Sequence, residues 1–224
     1  SLFLSLSLFL LNMANNLFPQ LCVFDLDDCL WTPETYVLSK KPTDNDVIIG
    51  DLGDGERGVV AVKCGHRSPL RLHSGALQVL RRIQSGEFGD MKAAAASTAV
   101  GNTSVKIAYA ALSLLEVRPG VTVRDVLDTA GGGFGGDGKN LQIGRNGHLT
   151  SDKATSHFPI LKKNTGISYE EMIYFDDCNW DDHCRRVMSL CKGVVAVETP
   201  NGLQESEFEE ALSRFAKKKK RRMK

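Results

Sequence analysis

The sequence predicts an α/β protein: an open parallel sheet with helices on both faces. Three observations lead there. Short, continuously apolar runs recur along the chain, as suits strands buried on both faces. Helix-period segments lie between them. Acids crowd the ends of two runs, in "VFDLDD" (23–28) and "YFDD" (174–177). In open α/β sheets the carboxyl ends of the strands face the ligand crevice.

The elements follow in order. "LCVFDL" (21–26) reads as the first strand. Residues 32–73 have no helix pattern, and "VIIGDLGDGERGVVAVKC" (47–64) holds two β-rich runs around a Gly/Asp turn. That predicts a small β-hairpin cap insertion. "SGALQVLRRIQSG" (74–86) is a helix with Ser74 as N-cap, Leu77, Leu80 and Ile83 on one face, and Gly86 past its end. "MKAAAAS" (91–97) is the second strand, although its composition also suits a helix. "SVKIAYAALSLLEV" (104–117) is a helix. Residues 118–150 form an insertion with six glycines at 131–138; no GxxxxGK[ST] phosphate cradle is present, so a flexible loop is expected. "SDKATSHFPILKKNTG" (151–166) is a helix capped by Ser151 and stopped by Gly166, with Pro159 either kinking it or marking its first turn. "EMIYFDD" (171–177), "WDDHCRRVMSL" (180–190), "GVVAVET" (193–199) and "LQESEFEEALSRFA" (203–216) give strand, helix, strand and helix.

Bulk composition fits one globular domain over residues 13–216. Of 224 residues, 42% are hydrophobic and 25% charged. The net charge of +1 hides an asymmetry. Seven basic residues fall within 217–224, and removing them leaves the rest near −6. This tail reads as a nuclear-import signal, an anchor for nucleic acid or acidic lipid, or a solvated end. Nucleic acid is expected through the tail or not at all. Six cysteines occur without a CxxC pair, which predicts reduced thiols in the cytoplasm or nucleus. "SLFLSLSLFLL" (1–11) is shorter than the roughly 20 residues of a membrane span. Residues 1–12 read as an extension outside the fold, a targeting segment being the alternative.

On an extended strand, side chains at i and i+2 point the same way. Asp25 and Asp27 then address one place and Asp28 another. If the strands carrying them and Asp176/Asp177 are neighbours, three or four carboxylates converge. Two like charges 4 Å apart cost about 4 kcal/mol at an effective dielectric near 20. Shared protons or a bound cation must relieve them. An all-oxygen set suits Mg²⁺. Zinc prefers Cys and His, and Cys178, His183 and Cys184 lack its usual spacing.

"VFDLDDCLW", "RLHSGALQVLRRIQ", "AAAAST", "SDKATSHFPILKKNTGISYEEMIYFDDCN" and "GVVAVETPNG" resemble the haloacid dehalogenase-like superfamily. Within it they are similar to the branch of magnesium-dependent phosphatase-1-like enzymes. The resemblance implies a Rossmann-like fold and a Mg²⁺-dependent phosphatase acting on phosphotyrosine or sugar phosphates. It implies that Asp25 is a nucleophile forming an aspartyl-phosphate and that Asp27 is the general acid and base. Ser97, Thr98 and Lys153 would meet the phosphoryl group or substrate. Asp25, the main-chain carbonyl of Asp27, and Asp176 or Asp177 would hold the metal. Structural alternatives stand beside these roles: Ser97 or Asp177 capping the next helix, Lys153 solvated. Cys29 replaces the motif's usual Thr, and Thr98 replaces the branch's Arg. A small cap leaves the site open to phosphoproteins as well as small molecules. The tail adds a second reading, a phosphatase of nuclear phosphoproteins or nucleic-acid ends. The two substitutions add a third, a binding protein on the same fold.

Overall fold

The computed structural model describes residues 17–129 and 139–222. The N-terminal extension (1–12), the glycines of 131–138 and the last two residues lie outside them.

Five parallel strands form the main sheet: β1 (Leu21–Phe24), β6 (Lys92–Ser97), β9 (Leu141–Ile143), β10 (Met172–Asp176) and β11 (Val195–Glu198). Their spatial order is β11-β10-β1-β6-β9. The apolar runs alternate between two buried faces, as period 2 requires. Cys22, Phe24, Ala93, Ala95, Ile173, Phe175, Val195 and Val197 join one hydrophobic cluster. Helices α1 (Ser74–Gln84), α2 (Gly101–Leu114), α3 (Val123–Thr129) and α6 (Glu205–Arg222) supply its outer layer, through Leu80, Ile107, Leu127 and Phe208 among others. Leu21, Val23, Ala94, Ala96, Met172 and Tyr174 face the other way. There they meet α4 (His157–Thr165) through Phe158 and Leu161, and α5 (His183–Leu190) through Val187.

The cap segment forms an antiparallel sheet of order β2-β5-β4-β3: β2 (Trp31–Thr32), β3 (Val47–Gly53), β4 (Glu56–Val62) and β5 (Leu70–Leu72). Its hairpin turns at Asp54–Gly55, both at positive φ (57° and 76°). That is the two-residue turn an Asp-Gly pair favours.

The sequence reading is corrected at several points. The 118–150 segment is more than an insertion: it completes a small ladder of β7 (Glu116–Arg118) with β8 (Val121–Thr122), then supplies α3 and β9. β9 is only three residues long, too short for its pattern to register beside a glycine run. The helix over 151–166 begins at His157, and Pro159 lies in its first turn, where its missing N–H costs nothing. Ser74 is the first helical residue and His73 the N-cap. The basic tail continues α6 through Arg222. Lys218 donates to the carbonyls of Glu170 (3.0 Å) and Gly193, and Lys219 pairs with Glu171 at 2.9 Å. Half of the tail's described cations therefore face the body or its edge, Arg222 lying 3.7 Å from Glu170. Among the described residues, no helix is long and apolar enough to cross a membrane.

Candidate active site

The chain passes from β1 to β6 and β9 on one side, then crosses to β10 and β11 on the other. The reversal at β1/β10 is where open α/β sheets bind ligands. Register brings the acids together there. Phe24 pairs with Phe175, and the Asp25 amide donates to the Phe175 carbonyl at 2.9 Å. Asp25 thus leaves its strand beside Asp176. On the other flank Phe24 pairs with Ala95, so Ser97 ends β6 at the same level.

Carboxylate oxygens of Asp25, Asp176 and Asp177 lie within 4.8 Å of one another, all three residues buried. Lys153, 1% exposed, is inserted between two of them: its Nζ is 2.9 Å from Asp25 and 2.6 Å from Asp176. The loop before α4 sets this lysine. Ser156 Oγ donates to the Asp152 carbonyl (2.7 Å), and Arg186 on α5 holds the Asp152 carboxylate at 2.5–2.8 Å. Asp176 is fully engaged: Oδ2 by Lys153 and the Tyr174 hydroxyl, Oδ1 by the Cys178 amide at 2.8 Å. Asp177 accepts from the Asn179 amide at 3.2 Å.

Burial sets the electrostatics. It pushes the Asp25 carboxyl well above its ordinary range, against the pull of Lys153. It pushes Asp177 up to about 6, with the charge of Asp176 adding to the effect. At Asp176 the burial cost is outweighed by Lys153 and then His183, so its carboxyl falls below the usual range. Burial acts on Lys153 in the opposite direction, but Asp176 and Asp25 together hold its ammonium above the usual lysine range. One buried cation thus faces three carboxylates, a set that a further cation would stabilise.

Asp27 departs from the expected shared direction. β1 ends at Phe24 and the chain turns through Asp28 at φ 53°, so the i, i+2 rule no longer governs. The Asp27 carboxylate accepts from Trp31 Nε1 and Thr35 Oγ1, each at 2.7 Å, and stands apart from the three-acid group. It still lines the same cavity, and burial raises its pKa against those two hydrogen bonds. Asp28 joins Glu34 and Asp177 in a second acidic group. The helix caps fall elsewhere than at the site: Val100 precedes α2 and Asp182 caps α5, so neither Ser97 nor Asp177 caps a helix.

The cavity, about 760 Å³, is lined by Asp25, Asp27, Ser97, Thr98, Asp176 and Asp177 among others. Sequence reasoning missed several of its neighbours. Tyr36 and Trp180 meet edge-to-face at 6.1 Å on the cavity wall, both exposed. Arg145 enters from the loop after β9. His157 lies behind Ser97, its Nε2 3.0 Å from the Ser97 carbonyl. Tyr36 and Arg145 come in from segments no motif marks, whereas His157 and Trp180 lie within or just past the stretch that carries Lys153 and Asp177.

Fold and cluster define an open-sheet α/β protein with a carboxylate-rich, lysine-bridged centre at its switch point. A family model described as Acid Phosphatase matches residues 17–218, and the chain belongs to that family of phosphatases. Among curated proteins, Magnesium-dependent phosphatase 1 of Homo sapiens is 27% identical over 202 residues, covering 89% of this chain and 88% of the relative. Among solved structures, the N-terminal part of the protein BF1531 from Bacteroides fragilis, containing a phosphatase domain complexed with Mg, superposes with a TM-score of 0.47 at 13% identity. That match covers 89% of this chain and 40% of the other.

Proposed function

We propose that the chain is a Mg²⁺-dependent phosphomonoesterase working through an aspartyl-phosphate on Asp25. The observation that carries this reading is Lys153 bridging Asp25 and Asp176 beneath an open cavity, with Asp177 alongside. An Asp25 oxygen attacks phosphorus, and the bond from phosphorus to the leaving oxygen breaks. Asp27 gives that oxygen its proton; burial raises its pKa and so favours the protonated form this step needs. Asp27 then takes a proton from water, whose oxygen attacks phosphorus and releases Asp25 and inorganic phosphate. Ser97 on the cavity wall holds the phosphoryl oxygens, and Lys153 beneath fixes the attacking carboxylate and lends its charge to the site.

The donor set fits Mg²⁺, being all oxygen and short of positive charge. Asp25, the Asp27 carbonyl, and Asp177 or Asp176 would hold the ion, Asp177 being the less engaged of the two by protein donors. When bound, the ion supplies the charge that keeps Asp25 ionised and neutralises the ester. The Tyr36–Trp180 pair favours a flat leaving group, such as the phenol of phosphotyrosine, over a sugar. Six unpaired thiols favour the cytoplasm or nucleus.

Hydrolysis of p-nitrophenyl phosphate tests the reading. Turnover should require Mg²⁺, stop in EDTA, and fall by at least about 10³-fold in Asp25→Asn. A wild type inert toward a broad panel of phosphate esters would leave a binding protein instead, and an Asp25→Asn variant that keeps its rate would remove the aspartyl-phosphate on Asp25.

A further inference from the structure

Six carboxylates line the cavity: Asp25, Asp27, Glu34, Asp176, Asp177 and Asp181. Lys153 lies beneath, occupied by Asp25 and Asp176. A phosphate ester entering such a mouth meets charge of its own sign. Among the described residues of the lining, Arg145 is the single lysine or arginine.

Arg145 is placed by a built path. The Gly144 amide donates to the Ser97 carbonyl at 2.8 Å, just past the end of β9. Gly144 has φ +104°, and a Cβ there would stand 2.8 Å from Val105 Cγ2 on α2. Any other residue is therefore strained at this position. The turn lays Arg145 back over the end of β6, where its Nε donates to the Thr98 carbonyl at 3.0 Å. Its two terminal nitrogens bond nothing among the described residues, and it takes part in no ion pair among them. The side chain is exposed, anchored at Nε and free at the fork. In sheet order Arg145 and Ser97 lie on the β6–β9 side, with Asp25 between them and Asp176.

We propose that Arg145 is the substrate-anchoring residue of this cavity, its guanidinium gripping the phosphoryl oxygens of the ester beside Ser97. The inference rests on the phosphomonoesterase reading and adds to it the group that recognises the dianion. The sequence has Thr at 98, so the guanidinium reaches this place from 47 residues further on, held by residue 98's own carbonyl. A planar fork matches two phosphoryl oxygens at once, which a point charge does not.

Equilibrium dialysis of radiolabelled inorganic phosphate against the full chain in Mg²⁺, with KM measured in parallel, tests the contact. Arg145→Ala should weaken phosphate binding about tenfold and raise KM by a similar factor, the loss of one charge-assisted contact. Arg145→Lys should fall between. Arg145→Gln keeps a donor for the Thr98 carbonyl without the charge, and should be as weak as Ala. Unchanged binding and KM in Arg145→Ala would overturn the proposal, and so would full recovery in Arg145→Gln, which would make the residue a loop tether. A wild type that binds phosphate in an Arg145-dependent way yet hydrolyses no ester would keep the contact and remove the phosphatase reading.

Discussion

Lys153 and Arg81 are both buried cations, and each reaches two carboxylates. Their surroundings differ. Arg81 on α1 donates to the Leu52 carbonyl at 2.5 Å, to Glu56 at 2.6 Å and to Asp54 at 3.1 Å. Asp54 is 83% exposed, and Glu56 has a second partner in Arg118. Water and Arg118 share the charge, so this cluster joins the cap hairpin to the body and is otherwise complete. Around Lys153 the carboxylates are buried, they outnumber the cation, and they open on a cavity. A buried cation with solvated partners is a fastening. One outnumbered by buried partners is a site whose charge balance a ligand completes.

Replacing each cation by methionine, similar in length and uncharged, is the strongest way to break that distinction. Lys153→Met should lower phosphatase turnover by about 10³-fold or more, since positioning of Asp25 and charge on the phosphoryl group are lost together. It should also cost about 3–5 kcal/mol of stability, because Asp25 and Asp176 stay buried without a cation to balance them. Steady-state rates and denaturant melts of the same preparation read both effects. Arg81→Met should cost less, about 2–3 kcal/mol, mainly from the stranded Leu52 carbonyl. Its turnover per folded molecule should match wild type. A folded Arg81→Met protein with lost turnover would erase the contrast.

The two regions were unequally legible in the sequence. The acids were visible because charge at the end of an apolar run is costly, and Asp25, Asp176 and Asp177 do meet. Lys153 was reached only through the family resemblance, since a lysine beside a helix start is usually solvated. The Asp-Gly hairpin was readable from turn chemistry, yet nothing flagged Arg81, whose partners depend on how the hairpin lies over α1. β9 and Arg145 were hidden in a glycine-rich stretch. Asp27 shares the cavity with Asp25, but the strand rule does not reach past the last paired residue and could not show that it stands apart from the three-acid group. Local patterns reveal an element and its faces; contacts between segments distant in sequence are set by packing.

Acid gives the finest separation of the two regions. His157, buried next to the Ser97 carbonyl and Ser156 Oγ, belongs to the Lys153 side. Burial, joined by the positive charge of Lys153, lowers its pKa to about 4. The unfolded chain titrates near 6.5. A histidine kept neutral in the fold gives its full stability above the unfolded value, and that stability is lost as pH falls from about 6.5 toward 4. At pH 5 the loss is about 2 kcal/mol. His157→Gln should lack this loss, so its stability gap from wild type should narrow by about that amount between pH 7.5 and pH 5 in denaturant melts. Arg81→Met leaves the surroundings of His157 unchanged, and should keep the wild-type acid sensitivity in full. If the acid dependence followed Arg81 and not His157, the burden of buried charge would lie at the hairpin, and the contrast between the two cations would be reversed.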